Sequence, residues 1–156
     1  MSVSVTLTCV AEVPVFHFSG FLLQKLGFAG AIDLVLAAFV VRLTAYATMA
    51  AWPTLWLVLA VEPLHGLTYG LAWAAGAAFA KKAAPPGLAA TMQSAFHNSY
   101  FGLGTGLGAL VGGFTYERLG PSGCFASAAL VVLVGWALTA LPRLRWLPNV
   151  GMAGTV

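Results

Sequence analysis

Few side chains in this sequence could do chemistry, and three of them interrupt runs of apolar residues: Glu12, Arg42 and Glu62. The two acids share a context. Glu12-Val13-Pro14-Val15-Phe16-His17 and Glu62-Pro63-Leu64-His65-Gly66 each join an acid, a proline and a histidine within one or two helical turns. Residues three apart on a helix share a face, so Glu62 and His65 point the same way. Proline frees backbone groups and bends a helix. In an apolar helix such bends line a cavity or a packed polar site. Carboxyl groups taken out of water hold a proton more readily, histidine titrates near neutral pH, and an arginine supplies the counter-charge. These are the parts of a proton relay. A structural reading stands beside it, in which Glu62 and His65 satisfy each other, or Arg42, inside a helix bundle. His97, with Gln93, Asn98 and Tyr100, forms a second polar patch that lines a substrate path or makes a helix contact. His17 reads as structural.

The remaining motifs argue against enzyme chemistry. The sequence has no serine elbow, no HExxH and no paired intramembrane aspartates. Cys9 and Cys124 lie in separate apolar runs, with no metal-ligand spacing around them. Gly102-Leu103-Gly104-Thr105-Gly106 is no nucleotide loop, because no strand precedes it and no Walker lysine follows. No catalytic residue, cofactor or metal is expected.

Lipid is the medium in which these groups must be positioned. Of 156 residues, 60% are apolar and 7% charged, where a soluble domain averages about 25% charged. Seven Lys+Arg and four Asp+Glu cannot furnish a polar surface. That excludes a soluble enzyme, a disordered tail and a nucleic-acid-binding domain; the formal charge of +3 reads instead as membrane orientation. Crossing about 30 Å of hydrocarbon takes roughly 20 helical residues. The expectation is an all-α integral membrane protein with about five transmembrane helices, at residues 2–23, 29–49, 54–80, 91–115 and 123–141. They form one bundle over 1–146, and 147–156 is a short cytoplasmic tail. Strands are disfavoured because the runs lack period-2 alternation.

Alternate breaks collect Lys25, Lys81, Lys82, Arg143 and Arg145 on one face, while the other carries Arg118 beside Glu117. The positive-inside rule then puts the C-terminus in the cytoplasm and the N-terminus outside. Asp33 falls at the start of the second helix, where a helix N-terminus favours an acid. The fourth run holds Gly102, Gly104, Gly106, Gly108 and Gly112; small residues four apart allow close helix packing in lipid. Nothing basic precedes the first run, and it reads as a helix internal to a longer chain.

Several phrases resemble the major facilitator superfamily. Phe18-Ser19-Gly20-Phe21-Leu22-Leu23-Gln24-Lys25-Leu26-Gly27 is similar to its short cytoplasmic loop between the eighth and ninth helices. Gly112-Gly113-Phe114-Thr115-Tyr116-Glu117-Arg118-Leu119-Gly120-Pro121 looks like the turn after the eleventh. More specific are Glu12-Val13-Pro14, Glu62 through Gly70, and Tyr100-Phe101-Gly102-Leu103-Gly104. The resemblance implies that the five helices correspond to the eighth to twelfth of a twelve-helix transporter. Proton symporters of sugars and nucleosides in that group carry acids, an arginine and a histidine on their eighth to tenth helices. Glu12, Arg42, Glu62 and His65 fall on the corresponding helices. A superfamily substrate site lies between two six-helix halves, so the expected partners are the bilayer, a missing N-terminal half and a small solute. The implied function is a fragment or short form of a transporter. The rival is a non-transporting membrane receptor or interaction protein of the same family.

Overall fold

The structure is a computed structural model that describes the backbone of residues 2–49, 52–53 and 55–146, and the side chains of 5–49, 52–53 and 56–140. The tail expected at 147–156 and the side chains of Arg143 and Arg145 lie outside those described. Within them the chain is all-helical, with no strand. Helix α1 spans Ser2–Met49. Helix α2, Leu55–Val61, leads through a 3₁₀ turn at Glu62–Leu64 and a π-helical turn at Gly66–Leu71 into α3, Ala72–Ala83. Helix α4, Ala89–His97, leads through a second π-helical turn at Asn98–Gly104 into α5, Thr105–Trp146.

Two glycines cut the long helices. Gly27 has φ 67° and ψ 177° inside α1, and Gly120 has φ 68° and ψ −177° inside α5. Both values lie in the positive-φ region that glycine enters without a Cβ clash. Each long helix therefore consists of two arms, 2–26 and 28–49 in α1, and 105–119 and 121–146 in α5. By contrast, the backbone stays right-handed helical at Val61, His65 and Leu71. Residues 55–83 thus form one rod of varying pitch. Helical dihedrals at His97, Asn98 and Thr105 likewise join 89–119. The result is five helical rods near the five apolar runs of the sequence. Gln24 and Lys25 are not a loop but the last turn of the first rod, and Gly27 alone makes the break. Pro14 lies inside α1 without breaking it. Pro63, which lacks an N–H, sits in the first positions of the 3₁₀ turn, where no intrahelical donor is required.

Side-chain pairs fix how the rods run. Glu62 reaches Thr8, His65 reaches Glu12, and Gly70 packs on Phe16. Both numbers rise together, so the first rod and 55–83 are parallel. Phe28 meets Phe79 and Arg42 meets His65, so the second arm of α1 is antiparallel to 55–83. Gln93 donates to the Ala77 carbonyl and Tyr100 packs on Trp73, which makes 89–119 antiparallel as well. The last arm returns along the second arm of α1. There Ser122 Oγ donates to the Ala47 carbonyl at 2.7 Å, and Trp136 Nε1 donates to Asp33 Oδ1 at 2.9 Å. Asp33 thus has a structural task. Lys25 and Lys82 lie at the Gly27 end of the bundle, over the Phe21 and Phe28 rings.

The buried core is small. Ala31, Val35 and Leu71 are its centre, with Val15, Leu22, Phe39 and Leu67 packed around them. The outward faces are apolar instead: Val13, Trp56, Leu110 and Val131 are 69, 77, 73 and 70% exposed. A water-soluble monomer does not expose contiguous apolar surface on that scale. Two helical stretches are long and apolar enough to cross a membrane, Val5–Met49 and Ala89–Ala140.

Candidate functional site

The polar exception to this apolar bundle lies where the first three rods meet. Arg42 comes from the second arm of α1, at 42 − 28 = 14 residues past its start and 49 − 42 = 7 before its end. At about 1.5 Å per residue, that is about 21 Å from the Gly27 end and about 10 Å from the other. Its side chain is 12% exposed. An arginine so placed must spend its donors on protein groups. Nη1 donates to Thr68 Oγ1 at 2.7 Å and to His65 Nδ1 at 3.0 Å. Nη2 donates to the Tyr46 hydroxyl at 3.0 Å and lies 3.7 Å from Glu62 Oε2. The buried Nε has no hydrogen-bond partner among the described residues.

The acids divide the work. Glu62, 13% exposed, faces Arg42 and accepts from Thr8 Oγ1 at 3.1 Å. Glu12 pairs with the far side of the histidine, its Oε1 lying 3.2 Å from His65 Nε2. Guanidinium only donates, so His65 Nδ1 must accept, and the ring proton belongs on Nε2, where it is donated to Glu12. The result is one relay of contacts, Glu12 to His65 to Arg42 to Glu62, built from three rods. A proton added at Nδ1 would set two donors against each other and break the His65–Arg42 contact.

The structure brings Glu12, Arg42, Glu62 and His65 together and leaves His97 outside. His97 packs on Trp73 at 5.5 Å and Phe101 at 5.0 Å between ring centroids. It belongs to an aromatic panel that also holds Phe96 and Tyr100. The panel reaches the polar cluster through Tyr69, which stacks on His65 at 5.6 Å and meets Phe101 at 6.5 Å. Both π-helical turns lie in this region, and π-turns are frequent at functional sites.

Sequence reasoning missed Thr8, Tyr46 and Thr68. Their spacing was the available signal: each stands three or four residues from Glu12, Arg42 or His65, on the same helix face. The glycines expected to pack do not do so within this chain. A Cβ at Gly102, Gly106, Gly108 or Gly112 would meet nothing within 4 Å, and at Gly104 only the Ser99 carbonyl at 3.5 Å. Apart from Gly30 against Leu26 and Gly123 against Leu119, which crowd residues four back across the glycine breaks, the close approaches among the described residues are on rod 55–83. There a Cβ at Gly66 would stand 2.6 Å from the Ala11 carbonyl oxygen, and one at Gly76 would collide with the Phe96 ring.

Residues 1–127 match the family described as MFS_1 like. The chain belongs to this family. The MFS_1-like chain is 29% identical over 149 residues to human major facilitator superfamily domain-containing protein 6-like, covering 96% of itself and 25% of that protein. It is 30% identical over 138 residues to the mouse protein of the same name, covering 88% of itself and 23% of that protein. The chain thus spans about a quarter of the length of these curated relatives. No solved structure matches it. Family and apolar helices together make this a membrane protein related to transporters, as the motif resemblance implied.

Proposed function

We propose that the chain forms part of a multi-pass transporter of a small solute, and that Glu12, Arg42, Glu62 and His65 couple that movement to protons. The observation that carries this reading is the half-buried relay of acid, histidine, arginine and acid in a member of a transporter-related family. Such groups are costly in lipid, by roughly 2.5–3.5 kcal/mol each on insertion scales, and mark ion or substrate paths. Length supports repeated crossing. Val5–Met49 has 45 residues and Ala89–Ala140 has 52, about 68 and 78 Å if straight, more than twice a hydrocarbon core. A glycine break near the middle of the first, and in the second half of the other, divides each into two crossings, and rod 55–83 supplies a fifth. The bundle end bearing Lys25, Lys81 and Lys82 then faces the cytoplasm, with the N-terminus on the outer side.

On this reading the chain supplies one portion of a larger transporter, and the substrate pathway is completed by the amino-terminal half. The exposed glycines Gly104, Gly108 and Gly112, spaced four apart along one side of the helix, are a packing face for that half. His97 lines the path beside the aromatic panel. The test is uptake into proteoliposomes by the chain co-reconstituted with the amino-terminal portion of a curated relative, with and without a pH gradient. Uptake should follow the gradient and lose that dependence in Glu62→Gln. Uptake indifferent to both would refute the proton relay. A rival reading is a membrane protein that binds a partner without moving solute. It wins if no solute moves while the chain alone is stably inserted and crosslinks to a defined partner.

A further inference from the structure

The charges of the relay do not balance, and the imbalance has a position. The relay holds two acids and one guanidinium, with Glu62 facing Arg42 and Glu12 facing His65, while the hydrogen bond from Arg42 keeps the His65 ring neutral. One negative charge is left over. It does not belong to Glu62, which has Arg42 at 3.7 Å and Thr8 at 3.1 Å. It belongs to Glu12, whose side chain is 22% exposed and whose described partner is the His65 ring. A carboxylate at that depth, partly open and with no paired Lys or Arg among the described residues, is stabilised by a cation.

The neighbouring residues indicate which kind. Because the first rod and rod 55–83 are parallel, Glu12 opposite His65 is followed one turn later by Phe16 opposite Tyr69. Phe16 and Tyr69 meet edge to face at 6.4 Å, and Tyr69 continues to Phe101 at 6.5 Å. Phe16 and Phe101 are each 39% exposed. An acidic rung and an aromatic rung thus lie about 5.4 Å apart along the bundle, the rise of one turn. A carboxylate one turn from a cluster of aromatic rings suits an organic ammonium, which gains from both the charge and the rings.

We infer that Glu12, with Phe16, Tyr69 and Phe101, binds the ammonium group and adjoining apolar part of a protonated amine. The inference deepens the transport reading by naming the solute class, and it rests on that reading only for the claim that the amine is moved. Binding itself is testable on the chain as it stands. The purified 156-residue protein in lipid nanodiscs is titrated with phenethylammonium, whose charge and ring lie about one helical turn apart, following tryptophan fluorescence and the melting temperature.

Saturable binding is expected, accompanied by a rise in melting temperature. Glu12→Gln should weaken it about tenfold or more, and Phe16→Ala should weaken it several-fold. 3-Phenylpropionate, with the same ring and the opposite charge, should not bind. Equal binding by Glu12→Gln, tighter binding of 3-phenylpropionate, or stabilisation by sodium ions alone would overturn the assignment. So would a Glu12→Gln protein that melts higher than the parent and binds nothing, since a proton would then be the missing cation. Far-UV circular dichroism of each variant confirms that the helices persist. Amine binding without uptake would refute transport and leave the site standing. Uptake of a neutral solute with no amine binding would do the reverse.

Discussion

Replacing Arg42 by methionine separates a structural arginine from an incidental one. Methionine keeps most of the length and removes every donor. Three hydrogen bonds disappear, to Thr68 at 2.7 Å and to His65 and Tyr46 at 3.0 Å each. Between helices in membranes such bonds average about 0.6 kcal/mol, so together they amount to about 2 kcal/mol. The larger loss is electrostatic. Glu62, 13% exposed, is left without the guanidinium 3.7 Å away. Removing one member of a buried pair costs about 3–5 kcal/mol, mainly because the other charge stays behind. The charge effect should therefore dominate, and it has its own signature: adding Glu62→Gln should restore part of the loss. In a double-mutant cycle the two substitutions should couple by about 1–3 kcal/mol, with the double variant more stable than the sum of the singles. The assay is reversible unfolding in mixed micelles by SDS titration, read by circular dichroism. Losses that simply add, within about 0.5 kcal/mol, would show that Arg42 and Glu62 do not share an ion pair and would refute the relay as drawn.

Two further substitutions test the packing. Gly66→Ala pushes a methyl group to within 2.6 Å of the Ala11 carbonyl oxygen; it should cost about 1–3 kcal/mol, whereas Gly106→Ala, with open space around it, should be neutral or stabilising by up to about 1 kcal/mol, and micellar unfolding distinguishes the two. Trp136→Phe removes the 2.9 Å donor to Asp33; loss of a hydrogen bond to a charged group should lower stability by about 1.5–3 kcal/mol, and a loss no larger than that of Trp56→Phe, at an outward-facing residue 77% exposed, would sink the assignment of Asp33 as a tie between rods.

The helices were legible in the sequence because apolar runs and breakers are local properties. Gly27, Pro53, Pro85-Pro86 and Gly120 each fall at or beside the end of a rod. What local pattern misjudged was the kind of break: Gln24-Lys25 reads as a polar loop, yet one positive-φ glycine reverses the chain without any loop. The membership of the relay was legible for a related reason, since a charge in an apolar run must have a partner. Its wiring was not. Glu62 and His65 are neighbours in sequence and share Arg42, yet on the first rod they turn to different residues, Thr8 and Glu12, because pairing depends on which rods run parallel. The glycines show the same limit. Their number on the fourth run says that close approach is permitted, while the face that meets a neighbour is decided by the whole bundle, which uses Gly66, Gly70 and Gly76 instead.

The order of the relay along the chain has a consequence for biosynthesis. Arg42 is made before the partners that satisfy it: His65 comes 23 residues later and Thr68 comes 26. At roughly 5–20 residues per second, the ribosome needs about 1–5 s to supply them. During that interval α1 holds a guanidinium whose counter-charge has not yet been translated, so its second arm must wait at the translocon or the interface. Residue 68 completes the set, before rods 89–119 and 121–146 are made. The relay is therefore complete in sequence before those two rods are translated, and a fault in it is exposed to quality control before they emerge.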